Sequence, residues 1–205
     1  MKKNPLQRRY ILFHKPYAVL CQFTDTAGRK TLADFGPFPK RVYPVGRLDA
    51  DSEGLLLLTD DGLLKHLFLE PRYRHPRTYL AQVERTPTED ALAELRRGVL
   101  IEGKKTLPAK VELLDVVPAV PSRVIPIRFR KSIATSWLEF TLSEGRNRQV
   151  RKMTAAVGHP TLRLIRIAIG PLTLGNLQPG ETREITPQEA AKLQRFVEKH
   201  SRYRS

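Results

Sequence analysis

The segment Val45–Thr59 constrains the fold of this 205-residue chain more than any other part of its sequence; it reads V-G-R-L-D-A-D-S-E-G-L-L-L-L-T. Its Leu55–Leu58 block is apolar enough to be buried, which indicates a rigid element in the core. The polar turn before that block, bounded by two glycines, carries Arg47 and Asp49. Loops anchored on buried elements are common sites for functional side chains. The pattern therefore predicts a carboxylate presented beside a cation, but it does not by itself identify the chemistry.

The charge balance points to an anionic partner. The chain has 36 Lys and Arg residues against 21 Asp and Glu residues, which gives a formal net charge of +15. An excess of this size favours binding to nucleic acid or to a membrane surface. No apolar run approaches the length of a membrane-spanning helix, and the first residues lack the apolar stretch of a signal peptide. Nucleic acid is therefore the expected partner, and a membrane role is not expected.

The cysteine and histidine residues predict neither a disulfide nor a zinc site. The single cysteine, Cys21, excludes an internal disulfide framework and is typical of a protein of the reducing cytoplasm. Because Cys21 follows Val19 and Leu20, we interpret it as a small core residue and not as a nucleophile. The five histidines lack the tight spacing that binds zinc.

Strand-like and helix-like segments follow one another without regular alternation. Sequence patterns predict strands over residues 10–14, 18–23, 79–83, 111–117, 124–129, 137–142 and 162–169. They predict helices over residues 63–69, 91–97 and 146–157, and a last helix that ends at Val197. Thr86 and Thr186 each precede a proline and, three residues on, a glutamate, a pattern typical of a helix N-terminus. Strands outnumber helices, which favours an α+β fold with a largely antiparallel sheet.

Several segments outside Val45–Thr59 match a known family in order and residue type. They are His14–Cys21, Arg77–Val83, Glu144–Met153 and a closing segment that starts at Ile169 and includes Leu177 and Gly180. Together with Val45–Thr59 they resemble the motifs of RNA pseudouridine synthases, in the branch that modifies ribosomal RNA. An ordered set of matches over nearly the whole chain is far more specific than one short motif. Nothing before Tyr10 resembles the small N-terminal RNA-binding module of many members, so the chain resembles the compact members most.

The resemblance implies a fold and an activity. The fold would be α+β, with a curved, largely antiparallel mixed sheet, flanking helices and a central catalytic cleft. The activity would be the isomerisation of a uridine to pseudouridine in large-subunit ribosomal RNA, in the cytoplasm, by a monomer that needs neither metal nor cofactor. We expect residues 10–200 to form the catalytic domain and residues 1–9 to form a flexible basic arm.

The resemblance also assigns roles to three side chains. Asp49 would be the nucleophile, since an ionised carboxylate can form a covalent intermediate. Arg151 would pair with Asp49 and keep its carboxylate ionised and oriented. Tyr79 would stack on the flipped-out target base. From the residues alone, each has an ordinary interpretation: a turn-forming aspartate, a phosphate-binding arginine on a helix, and an aromatic side chain of a strand.

A further set of basic residues is expected to contact RNA: Arg47, Arg146, Arg148 and Lys152. Arg47 resembles the family arginine beside the catalytic aspartate, where a planar guanidinium can both stack and bind phosphate. The alternative role of Arg47 is a local salt bridge with Asp51 or Glu53.

The residues of the Asp49 motif also fit other functions. Asp49, Asp51, Glu53 and Asp60 approximate the ligand spacing of a calcium-binding EF-hand loop. That loop must lie between two helices, and Pro44 makes the preceding segment a poor helix. A non-catalytic RNA-binding or assembly protein is a second possibility, but such a protein would be free to lose at least one of the three site residues. An RNA hydrolase would need metal ligands that the sequence does not supply.

Overall fold

The computed structural model describes residues 8–127 and 133–202, with side chains described through residue 200. The strands in these ranges are β1 (Tyr10–Lys15), β2 (Tyr43–Pro44), β3 (Glu53–Thr59), β4 (Arg77–Glu84), β5 (Leu100–Ile101), β6 (Lys104–Lys105), β7 (Lys110–Leu114), β8 (Thr135–Leu142), β9 (Thr161–Ile169), β10 (Leu172–Thr173) and β11 (Thr182–Glu184). The α-helices are α1 (Gly62–Leu69), α2 (Glu89–Arg97), α3 (Gln149–Ala156) and α4 (Pro187–Arg202).

Most of the strands form one mixed sheet. Seven lie side by side in the order β11-β1-β3-β9-β4-β8-β7, while β2 pairs with β3 and β10 pairs with β9. Among these pairs of described strands, β3 and β9 are parallel and the others are antiparallel. The short strands β5 and β6 form a separate hairpin. The expected α+β fold with a largely antiparallel mixed sheet is confirmed.

Strand β3 is buried on both faces, which explains its uninterrupted apolar sequence. Successive side chains of a strand point to opposite faces. Leu55 and Leu57 therefore pack with side chains of α1 and α4, while Leu56 and Leu58 pack on the other face with side chains of β1. A strand that is covered on both faces has a continuous apolar run instead of an alternating one. The polar loop before β3 is consequently attached to the centre of the molecule.

A second core lies between the other end of the sheet and the helices α2 and α3. Leu92 and Leu95 of α2 and Val150 and Met153 of α3 are buried there against side chains of β4, β7 and β8. The predicted apolar stripe of α3 is thus confirmed for Val150 and Met153, and Val157 packs at its edge. This packing fixes α3, whose first turn borders the cleft described below.

A buried ion pair joins the two parallel strands. Glu53 at the start of β3 and Arg163 of β9 are 1% and 6% exposed, and two N–H···O hydrogen bonds of 2.8 Å connect them. Arg163 also donates to the carbonyl of Pro121, at 2.8 Å, in the long connection between β7 and β8. The pair therefore fastens β3, β9 and that connection to one another.

The predicted strand over residues 18–23 is wrong. Ala18 has a left-handed backbone, with φ +63°, and its N–H donates to the carbonyl of Ala50 at 2.7 Å. Only Leu20 forms an isolated bridge, to Thr31. The apolar residues of this segment are explained by burial in a loop, since Val19 is 1% exposed.

The predicted start of α2 is two residues too early. Thr88 caps the helix by accepting a hydrogen bond from the N–H of Ala91, at 3.3 Å. The hydroxyl of Thr86 is instead hydrogen-bonded to that of Ser136, at 2.9 Å. Thr86 and Thr88 lie on either side of Pro87, so the sequence alone does not show which of them is the cap. The hydrogen bond between Thr86 and Ser136 of β8 leaves Thr88 as the cap.

The predicted start of α3 is three residues too early. Arg148 has a left-handed backbone, with φ 51°, so the helix begins at Gln149. The Gln149 side chain accepts a hydrogen bond from the N–H of Arg146, at 3.0 Å, and stabilises the turn before the helix. The segment Arg146–Arg148 is therefore a turn at the cleft and not a helical face.

The remaining differences are the ends of two predicted elements and the described part of the strand predicted over residues 124–129. Strand β7 ends at Leu114, residues 124–127 form no strand, and residues 128 and 129 lie outside the described ranges. The predicted start of the last helix is confirmed, since Thr186 and Glu189 exchange side-chain-to-backbone hydrogen bonds of 2.8 and 3.2 Å. This helix continues past the predicted end to Arg202.

In the part of the chain that is described, we find no helix with the length and apolarity needed to span a bilayer.

We expect Gly54→Ala to destabilise the protein strongly. Gly54 has φ +103°, and a Cβ there would lie 2.3 Å from the carbonyl oxygen of Arg166 in β9. The combined backbone strain and overlap should lower the free energy of unfolding by at least about 2 kcal/mol, measured by urea denaturation. Gly62→Ala in α1 is the matched control, because a Cβ at Gly62 meets nothing within 4 Å; it should change stability by less than about 1 kcal/mol. Equal stability of the two variants would contradict this close approach.

Candidate active site

The loop that carries Asp49 is tied to its surroundings by its backbone. The N–H of Val45 donates to Leu57 of β3, at 2.7 Å. The N–H of Leu48 donates to the sulfur of Cys21 at 3.2 Å, and the thiol donates back to the carbonyl of Leu48 at 3.3 Å. Cys21 is half-buried and packs beside an aromatic cluster. Cys21 therefore packs against the core, as predicted, and it also holds the loop in place at Leu48, next to Asp49.

A buried cation lies beneath the same loop. Lys15 is fully buried, and its ammonium donates to the carbonyls of Pro16 at 2.8 Å, Val19 at 2.7 Å and Ala50 at 3.3 Å. Burial lowers the pKa of Lys15 to about 8, although nearby acidic groups act in the opposite direction. The Ala50 carbonyl also accepts a hydrogen bond from Ala18. The carbonyl of Ala50, the residue after Asp49, is thus held by two donors, the Lys15 ammonium and the Ala18 N–H.

The two arginines at the start of α3 make their shortest contacts with Asp51 and not with Asp49. Arg148 donates to both carboxylate oxygens of Asp51, at 2.9 and 2.7 Å. Arg151 donates to the Asp51 backbone carbonyl at 2.7 Å, and its Nε lies 3.4 Å from the Asp51 carboxylate. The ion-pair contact of Asp49 in the described structure is with Arg148, at 3.8 Å. The expected Arg151–Asp49 pair is therefore not the pair that forms in this structure.

This arrangement shifts the pKa values of all three groups. Burial disfavours the charged form of Asp51, but the hydrogen bonds from Arg148 and the charges of Arg151 and Arg148 outweigh burial and lower the Asp51 pKa. Hydrogen bonding to Asp51 raises the pKa of Arg148. Burial lowers the pKa of Arg151, against the attraction of Asp51. Asp51 is therefore an ionised link between the loop and α3.

A cleft of about 360 Å³ brings most of the predicted site residues together. Of those residues, its lining includes Arg47, Asp49, Tyr79, Arg146 and Arg148. The volume is in the range of small-molecule sites. Arg151 and Lys152 do not line it, and Arg151 faces a neighbouring depression of about 190 Å³.

Arg47 differs from the other basic residues predicted to bind RNA. It is exposed, and in the described part of the chain it has no acidic side chain within 4 Å, so the alternative of a local salt bridge is not realised. Arg146 donates to the carbonyls of Ile101 at 2.8 Å and Lys104 at 3.1 Å. Lys152 pairs with Glu102 at 2.6 Å. These last two side chains hold the β5–β6 hairpin beside the cleft.

Sequence reasoning missed three residues that line the cleft, Arg77, Arg166 and Ser52. Arg77 lies two positions before Tyr79 on the same strand, so alternation along β4 could have identified it. Arg166 is the cross-strand partner of Tyr79, and only the pairing of β4 with β9 reveals this. The Ser52 hydroxyl is buried and has no hydrogen-bond partner among the described residues.

The calcium alternative does not fit this geometry. The loop lies between β2 and β3 and not between two helices. Glu53 is paired with Arg163, and Asp51 is paired with Arg148, so neither carboxylate is available to a cation. Among the described residues, no group of three or more His, Cys, Asp or Glu side chains is arranged to hold a metal.

The comparisons with known proteins agree with this fold. The model of the RNA pseudouridylate synthase family matches residues 9–156, and the chain belongs to this family. It is similar to the ribosomal large subunit pseudouridine synthase E of Vibrio parahaemolyticus, with 54% identity over 87% of this chain and 74% of the relative. The enzyme of the same name from Xanthomonas campestris is 53% identical over 84% of this chain and 93% of the relative. The expected family is confirmed.

The same fold occurs in a solved structure. A crystal structure of a pseudouridylate synthase matches this chain with a TM-score of 0.75 and 32% identity, over 91% of this chain and 74% of the other. The chain is therefore an RNA pseudouridine synthase by family and by fold.

The pH dependence of stability should reveal the buried charge of Lys15. The folded protein releases this proton near pH 8, while the unfolded chain retains it to about pH 10.5. In the window between these two pH values the unfolded state binds more protons than the folded state, so the free energy of unfolding rises with pH. The cost of burying the charged ammonium is removed as the folded protein loses the proton. Relative to Lys15→Met, the wild type should gain on the order of 3 kcal/mol across the window, measured by urea denaturation at a series of pH values.

The matched control for this experiment is Lys192→Met. Lys192 is exposed on α4, so its replacement should preserve the pH dependence of the wild type. A stability difference between wild type and Lys15→Met that stays constant with pH would show that the ammonium is not held in a desolvated site.

Proposed function

We propose that this protein converts a uridine of large-subunit ribosomal RNA to pseudouridine, with Asp49 as the nucleophile. The observation that carries the proposal is that Asp49 and Tyr79 line the same cleft. The chain is also 54% and 53% identical to two enzymes named as ribosomal large subunit pseudouridine synthases. The side chain of Asp49 is 38% exposed. With the nearest cation at 3.8 Å, its carboxylate is accessible to a substrate in the cleft.

Tyr79 is proposed to stack on the target base. It is half-buried on β4, so one part of the ring is fixed by the sheet and the rest faces the cleft. A base must leave its stack before a cleft of this size can accept it, and unstacking costs least at an unpaired or weakly paired nucleotide. The substrate is therefore a structured RNA with a locally weak or unpaired uridine.

Arg151 is proposed to position the nucleophile through Asp51. Its contacts with the backbone and the carboxylate of Asp51 fix the second residue after Asp49. It also donates to the carbonyl of Thr161 in β9, at 3.1 Å, so it connects the loop with the sheet. This role differs from the direct pair with Asp49 that the resemblance implied.

RNA phosphates are proposed to bind first at Arg47, which is exposed at the cleft. Arg148 is also exposed there, but it already donates to both carboxylate oxygens of Asp51, so it is proposed to bind phosphate second. Arg146 and Lys152 contribute less, because their side chains already bond the β5–β6 hairpin. We also propose that residues 10–200 form the catalytic domain, that residues 1–9 are a basic arm, and that the enzyme works as a cytoplasmic monomer, free of membrane and metal.

Asp49→Asn should abolish the reaction and spare RNA binding. The amide keeps the size of the carboxylate but removes its charge and nucleophilicity. We expect no detectable pseudouridine, with RNA affinity within about tenfold of the wild type, or roughly 1.4 kcal/mol. Asp90→Asn, on the exposed face of α2, is the matched control and should behave as wild type. Chromatography of digested ribosomal RNA measures the product, and a near-normal rate in Asp49→Asn would refute the nucleophile assignment.

The same assay separates an enzyme from a binder. A wild-type protein that binds ribosomal RNA but makes no pseudouridine on any form of it would favour the non-catalytic RNA-binding protein.

Arg47→Met should weaken RNA binding more than Lys152→Met. Arg47 has no acidic partner among the described residues, whereas the charge of Lys152 is compensated by Glu102. Loss of one phosphate contact should reduce the slope of log affinity against log salt by about 1 and the affinity by about tenfold. Titrations at several salt concentrations test this. An equal loss in both variants would mean that the Lys152–Glu102 pair opens when RNA binds.

A further inference from the structure

Two arginines in the cleft have no carboxylate partner among the described residues. Arg166 is 3% exposed, and its Nε donates to the carbonyl of Leu55 at 2.8 Å. Its Nη2 is buried and has no hydrogen-bond partner in the described ranges. Arg77 is half-buried, and among the described residues its side chain donates to the carbonyl of His75, at 3.4 Å. In the described ranges, no acidic side chain lies within 4 Å of either guanidinium. Buried cations are usually paired, so this arrangement is incomplete without an anion.

Arg77 and Arg166 line the same cleft as Tyr79. Burial lowers the pKa of Arg77; Tyr79 acts in the opposite direction, and the charge of Arg166 adds to the lowering. Arg166 is the cross-strand partner of Tyr79, and partners across a ladder share one face of the sheet. A Cβ at Gly145 would lie 3.5 Å from Nη1 of Arg77, so this side chain lies against the backbone at the cleft wall.

We propose that Arg77 and Arg166 stabilise the negative charge that develops on the carbonyl oxygens of the target base during the reaction. This inference rests on the proposed function. It assigns the two arginines to the base and not to the RNA backbone, because they lie beside the side chain proposed to stack on the base. The depth of Arg166 also keeps its guanidinium away from phosphates, which remain at the protein surface.

The chemistry of the isomerisation requires such a site. When the Asp49 carboxylate bonds to C1′ of ribose, the bond between C1′ and N1 of uracil breaks, its electron pair goes to the base, and the detached base carries one negative charge over N1, O2 and O4. After rotation, C5 bonds to C1′ and displaces the Asp49 carboxylate, C5 then loses its proton and N1 gains one, so atoms and charge balance and Asp49 is regenerated. If Asp49 instead adds to C6, the displaced electron pair of the C5–C6 bond reaches O4. Both routes place negative charge on base oxygens, where fixed cations in a low-dielectric site act most strongly.

The test compares Arg77→Met, Arg77→Lys and Arg166→Met with the wild type on transcribed large-subunit ribosomal RNA. The control is Arg97→Met, an exposed arginine of α2. Single-turnover rates come from chromatography of the nucleosides, and RNA affinity is measured separately. Each methionine variant should slow the reaction by about 100-fold or more, with affinity within about threefold, while Arg77→Lys recovers at least about tenfold. Thermal unfolding checks the fold, and Arg77→Met keeps the test decisive if Arg166→Met unfolds.

A second substrate distinguishes charge stabilisation from a structural role. Fluorine at C5 stabilises the base anion intrinsically, so in RNA transcribed with 5-fluorouridine the consumption of that nucleoside should depend less on the arginines. The rate loss of Arg77→Met should fall to less than about tenfold on this RNA. A merely structural role would give the same loss on both RNAs.

Three results would overturn the inference while the wild type remains active: unchanged rates in both methionine variants, a rate loss explained fully by weaker RNA binding, or equal losses on the two RNAs. If the wild type makes no pseudouridine at all, the proposed function fails first, and this inference fails with it.

Discussion

The parallel contact between β3 and β9 is the constraint on which the site depends. It joins two strands that are distant in sequence, and it requires a glycine at position 54 because the backbone of Arg166 leaves no room for a side chain. The buried pair of Glu53 and Arg163 reinforces the contact one residue earlier. Since Asp49 lies just before β3 and Arg166 lies on β9, this contact sets the distance between the proposed nucleophile and the cleft floor.

Positive charge performs two different tasks around the cleft. One group contacts the loop that carries Asp49: Lys15 donates to the carbonyl of Ala50, Arg148 donates to the carboxylate of Asp51, and Arg151 donates to the backbone carbonyl of Asp51. Arg77 and Arg166 have no such acidic partner among the described residues. The first group therefore makes the loop rigid, and the second leaves a positive potential where the substrate would lie. This division explains how so basic a site keeps one aspartate accessible.

The sequence predicted most of the architecture, since long periodic segments such as β4, β8 and β9 follow directly from their apolar patterns. The same patterns led to a wrong strand at residues 18–23, because a buried loop and a strand bury similar residues. The site was predictable where a motif is continuous, as for Asp49. It was not predictable where long-range pairing decides the neighbour: Arg151 meets Asp51, and Arg166 lies across from Tyr79.

The two-sided burial of β3 also determines how the protein loses activity. Its residues pair with β1 from Gly54 to Thr59 and with β9 at Glu53 and Gly54, and both of its faces are packed. Amides in such a position exchange with solvent only when the whole domain opens, whereas termini and small hairpins open locally at low cost. The anchor of Asp49 therefore belongs to the last part of the molecule to unfold. Heat should remove activity and structure in a single transition, without an earlier melting of the site.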